Sequence, residues 1–95
     1  MRMDRKAYES KLDEELARWK ADIDLIKAKG KRAEVEAMDR YDQAIDALQR
    51  KHEEAETQLR RLKTASDEAW EGLKDRTEEI WLEFKALFQG AGKKD

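Results

Sequence analysis

Few side chains in this sequence are suited to chemistry. His52 is the single histidine, within Lys51-His52-Glu53-Glu54-Ala55-Glu56. His52 and Glu56 lie one helical turn apart, a spacing that can chelate a metal. The zinc-protease helix pattern, however, requires a second histidine where Glu56 sits. The di-iron bundle pattern requires a Glu three residues before the histidine, where this chain has Gln49. His52 therefore reads as a structural or interface histidine, and no metal or cofactor is expected. The carboxylate pairs Glu14/Glu15, Glu53/Glu54 and Glu78/Glu79 lie on a polar surface. Nothing there desolvates them or moves their pKa values toward acid–base work. Ser10 and Ser66 have no nucleophile context, and the isolated glycines match no phosphate-cradling loop. With no cysteine in the chain, disulfides, thiolate catalysis and Cys-ligated zinc are excluded together. Trp19, Trp70 and Trp81 are spaced along helix faces and read as packing residues, not stacking platforms. No catalytic constellation emerges, and the chain is not expected to be an enzyme.

The elements carrying these residues are helices. Ala, Glu, Lys, Leu and Arg supply 56 of the 95 residues, the composition of long helices and coiled coils. Proline is absent, and β-branched residues are too scarce to build a sheet. From Tyr8 to Leu87 apolar or small residues follow one stripe, 22 steps over 79 residues. That is roughly 3.59 residues per step, close to a straight helix and longer than the 3.5 of a left-handed supercoil. Tyr8, Trp19, Gly30, Tyr41 and His52 stand eleven residues apart, as do Trp70 and Trp81. The pattern predicts an all-α fold: a long, nearly straight amphipathic helix on the order of 125 Å, forming a homo-oligomeric coiled coil or helical bundle. Residues 1–95 then make one domain, frayed at 1–4 and 89–95, with Gly90 and Gly92 ending the helix.

Two segments offer breaks. Gly30 follows cations, as at a helix carboxy-terminus. Near Ser66 there are two N-cap candidates, Thr64 with Asp67 three residues on, and Ser66 before an acidic first turn. Turns at both would give helices of roughly 26, 33 and 22 residues, the alternative of a monomeric three-helix bundle. The stripe runs without a phase slip through Ile26–Gly30–Ala33 and Leu62–Ser66–Ala69, and a mid-helix glycine costs only ~1 kcal/mol. A continuous helix through Gly30 is therefore expected, with a kink or turn at 63–67 left open.

A long helix must cover its stripe. The expected self-association core is Leu12, Leu16, Trp19, Ile23, Ile26, Tyr41, Ile45, Leu48, Leu59 and Leu62. Trp70, Leu73, Ile80, Trp81, Phe84 and Phe88 form a wider aromatic contact face. A formal net charge of -2 with interspersed signs argues against nucleic acid as a partner. The segment from Asp67 to Phe88 is amphipathic enough for a membrane surface, but its polar face is mainly acidic, the wrong sign for anionic lipid. No amino-terminal apolar run reads as a secretory signal, so a cytoplasmic location is expected.

Two stretches carry a resemblance. Trp19-Lys-Ala-Asp-Ile23-Asp24-Leu-Ile26-Lys27-Ala28-Lys29 resembles the W-x3-I-D-x-L-K-A-K-A segment of small bacterial coiled-coil proteins catalogued as stress-response proteins. Ala65-Ser66-Asp67-Glu68-Ala69-Trp70-Glu71-Gly72-Leu73-Lys74, continuing to Trp81, resembles that family's A-S-x-D-A-W-E-D-L-K…A-W segment. The similarity spans most of residues 8 to 84. Gly30 and Gly72 depart from it, standing where the family usually has an alanine and an acid. The resemblance implies a stress-associated coiled coil in the cytosol and carries over no catalytic or ligand residues. The expected function is a non-enzymatic structural or protein-interaction module acting through self-association and partner-helix binding. The alternative is a peripheral membrane-associating helix.

Overall fold

The chain folds back on itself twice. The structure, a computed structural model, describes residues 5–93, with side chains described through Gly90. Helix α1 spans Arg5–Arg32, α2 Val35–Thr64 and α3 Asp67–Lys93. They form an up-down-up bundle of about 50 × 20 × 18 Å. The single long straight helix is thus replaced by its alternative, the three-helix bundle. The expected fraying at 1–4 and 94–95 lies outside the described residues.

The first turn falls after Gly30. Lys29, Lys31 and Arg32 occupy the last turn of α1, where cations face the negative end of the helix dipole. Ala33 N–H closes onto the Gly30 carbonyl at 3.2 Å, and Glu34 then extends at φ -67°, ψ 156°. The Glu34 carbonyl accepts from Ala37 and Met38 to start α2, with no side-chain cap. Gly30 itself is helical. Its role is proximity: a Cβ placed on it would stand 3.1 Å from the Tyr41 Cβ, so its bare face lets α1 and α2 close together.

The second turn is better specified. Ala65 extends at φ -77°, ψ 151°, and Ser66 Oγ accepts from Ala69 N–H at 3.2 Å. Ser66 is therefore the N-cap, whereas the Thr64 hydroxyl donates back to the Arg60 carbonyl at 3.1 Å. Asp67 and Glu68 fill the first turn of α3, complementing its positive end. At the far end α3 continues to Lys93, so Gly90 and Gly92 do not end it as expected. A C-capping glycine takes a positive φ, and among the described residues none does.

Magnitudes favour folding back. Each break leaves about four N–H and four C=O groups outside the helix ladder, at about 1 kcal/mol net per lost hydrogen bond. Against that, thirteen apolar side chains are buried among the described residues, including Ile26, Leu48, Leu62, Ile80 and Phe84. Each is worth about 1.5–3 kcal/mol if large and fully buried. Self-burial within one chain wins without needing a second chain. Helix α2 lies against both neighbours, whereas α1 and α3 meet mainly through large aromatic side chains. Trp19 stacks on Phe84 with ring centroids 3.9 Å apart, and Tyr8 meets Trp70 edge-on at 5.4 Å.

Candidate functional site

The positions expected to mediate self-association lie inside this chain. Leu12, Leu16, Trp19, Ile23, Ile26, Leu48, Leu59 and Leu62 are buried, while Tyr41 and Ile45 pack half-buried against them. Of the aromatic face, Trp70, Ile80, Trp81 and Phe84 are buried, with Leu73 and Phe88 at its margin. The structure joins both groups into one core. Trp81 completes it with its ring centroid 4.8 Å from that of Trp19.

Interior polar groups are mostly satisfied by backbone. His52 Nε2 lies 2.9 Å from the Leu16 carbonyl. A carbonyl only accepts, so Nε2 donates to it, and Nδ1 is the ring nitrogen left facing away. That atom is 4.0 Å from Glu56. The Thr77 hydroxyl and the Gln58 side-chain amide both donate to the Leu73 carbonyl, at 2.8 and 3.2 Å. Trp70 Nε1 donates to Glu9 at 3.0 Å. Trp81 Nε1 is the buried side-chain polar atom without a partner among the described residues.

His52 sits between two shallow grooves on the α1–α2 face, of about 320 and 340 Å³. Their walls alternate in charge, with Asp13, Lys20, Glu56 and Lys63 in one and Asp24, Lys27 and Glu53 in the other. Among the described residues no three His, Cys, Asp or Glu side chains converge as a metal site. His52 and Glu56 remain an isolated pair.

Two charged clusters tie α3 to its neighbours. On the α2–α3 face Lys51 bridges Glu54 at 2.8 Å and Glu83 at 2.7 Å, and Arg76 reaches Glu54 at 2.7 Å and Glu79 at 3.0 Å. The hydrogen bond from Lys51, with the nearby Arg76 charge, lowers the pKa of Glu54, and the Glu54 and Glu83 carboxylates raise that of Lys51. Glu54 is thereby held ionised, the reverse of what a general acid needs. At the other end Arg5 donates to the Leu62 carbonyl at 2.8 Å and pairs with Asp67 at 3.0 Å. Its guanidinium carbon lies 5.4 Å from the centre of the Trp70 ring. Burial, then the Glu78 carboxylate, pushes the Tyr8 hydroxyl up to about 12.

Sequence reasoning missed Arg5 and Gln58. Gln58 stands three residues after Ala55 and four before Leu62, on the inner edge of α2, and that spacing was the available signal. No protein-family model, curated protein or solved structure matches this chain.

Proposed function

We propose that this protein is a non-enzymatic helical interaction module of the cytoplasm. It acts through association with further copies and with partner helices, in the stress-associated setting implied by the resemblance of its Trp19 and Trp70 segments. The observation carrying this reading is where apolar surface remains. The core stripe is internal, yet Leu25, Val35, Met38, Leu82 and Leu87 stay exposed, with Val35, at 82%, and Met38 just past the α1–α2 turn. Large apolar side chains left in water support contact with another protein surface. The open, mixed-charge grooves suit no small ligand, since those favour apolar enclosed pockets.

The membrane-surface alternative rested on the face from Trp70 to Phe88, which now lies largely in the core. No helix among the described residues is long and apolar enough to cross a membrane. Light scattering across a concentration series tests the proposal. Rising mass with concentration supports it. An unchanging monomer that also captures no protein partner removes it.

A further inference from the structure

The two turns are built unequally. The α2–α3 turn is fastened by the Ser66 cap, by Arg5 on the Leu62 carbonyl and by the Arg5–Asp67 pair. The α1–α2 turn has no side-chain cap. Its residues, Ala33 and Glu34, are ordinary helix formers. No described residue there adopts a positive φ, so nothing in their chemistry demands a turn. The apolar stripe also crosses this point in helical phase, Ile26–Gly30–Ala33–Ala37–Tyr41. Straightening the turn would leave every core residue on the same face of one continuous helix.

From these features we infer that the α1–α2 turn is a hinge through which two copies exchange α1. In the exchanged dimer α1 and α2 form one helix over residues 5–64, about 90 Å long. Each α1 then docks on the α2–α3 hairpin of the other copy. The contacts of Leu12, Leu16, Trp19, Ile23 and Ile26 are re-formed between chains with identical partners, so the exchange forfeits little of the core. It removes the extended backbone at Glu34 and completes the helix ladder there. Two long helices cross at their hinges, where Val35 and Met38 lack cover in a single chain. The occupant of that exposed patch is the second copy. This inference rests on the self-association proposed above and specifies its geometry.

The test uses the absence of native cysteine. Lys63 and Asp13 pair across α1 and α2 at 2.9 Å, with their side chains 43% and 52% exposed. The full-length Asp13→Cys/Lys63→Cys protein is refolded at high concentration, treated with a short bis-maleimide and run under denaturing conditions. Exchange gives covalent dimers. Glu34→Pro in the same background fits the observed φ of -67° but interrupts a continuous helix. With one hinge in each chain, it should weaken the dimer by about ten-thousandfold while leaving the monomer folded by circular dichroism. A dimeric solution mass whose cross-links all fall within chains overturns the exchange and leaves self-association standing. A monomeric mass with cross-links within chains overturns both.

Discussion

Arg5 closes a turn formed by residues about sixty positions away. Its guanidinium donates at 2.8 Å to the Leu62 carbonyl, near the carboxy-terminal end of α2, where the chain reverses and that carbonyl otherwise accepts only the 3.3 Å bond from Ala65 N–H. The same group pairs with Asp67 across that turn and lies over Trp70. The first described residue thus caps the helix end at the second reversal.

Arg5→Ala should therefore destabilise the fold by about 1–2 kcal/mol, through the lost charged hydrogen bond and cation–π contact. Arg5→Lys should recover less than half, because an ammonium cannot span both acceptors as a planar fork does. Urea denaturation of the three proteins checks this. Equal stability of Arg5→Ala and the parent would show that the cap contributes nothing.

Trp70 and Trp81 differ in one polar atom. Trp70 Nε1 donates to Glu9, whereas Trp81 Nε1 is buried without a partner among the described residues. Trp70→Phe should lose packing and the hydrogen bond to Glu9, leaving that carboxylate with its 3.5 Å pairing to Arg5. Trp81→Phe loses similar packing but relieves an unpaired donor worth about 1–3 kcal/mol. The Trp81 variant should be the more stable of the two by about 1 kcal/mol or more, read from chemical denaturation. The reverse order would mean that Trp81 has a partner in solution.

Gly72 and Gly30 are both helical, and replacing either with alanine adds helix propensity of about 1 kcal/mol. At Gly72 a Cβ meets nothing within 4 Å, so Gly72→Ala should deliver most of that gain. At Gly30 the added atom meets the Tyr41 Cβ at 3.1 Å, and α1 and α2 must part slightly. Gly30→Ala should fall short of Gly72→Ala in thermal midpoint. Equal gains would show that the Gly30–Tyr41 approach carries no constraint.

Tyr8 makes stability depend on alkaline pH. With its pKa raised from 10.0 to about 12 in the fold, the native state holds this proton more tightly than the unfolded chain. Its contribution is fully present below pH 10 and is lost as pH rises through about 12. The parent should lose stability across that window more steeply than Tyr8→Phe. The difference between the two is the Tyr8 contribution, since the loss at Lys51, whose pKa is also raised and which therefore falls in the same direction, is common to both. Parallel pH profiles would place the hydroxyl in water.

The core was legible and the topology was not, for one physical reason. Burial follows helical phase, and the stripe from Leu12 through Leu62 to Phe84 marks the inside whether the helix is straight or folded. Because the phase is unbroken at Ala33 and at Ser66, periodicity cannot distinguish a long helix covered by another chain from a hairpin covered by itself. What decides is the balance between a few helix hydrogen bonds and self-burial, which no local spacing encodes. Ser66 was visible as an N-cap candidate, but Thr64 was equally so until its hydroxyl was found turned back to Arg60. Gly30 drew attention as a stop signal, yet its function is to admit Tyr41. Arg5 carried no local signal, because its acceptor lies 57 residues away.

The Trp19–Trp81 pair has a further consequence. Two indoles with centroids 4.8 Å apart and planes tilted by 46° are close enough for their electronic transitions to mix, and a tilted geometry makes that mixing chiral. One chromophore rides on the first helix and the other on the third. The molecule therefore carries its own optical gauge, a far-ultraviolet circular dichroism couplet from the intense indole band that is bright while those helices are together and dark once they part.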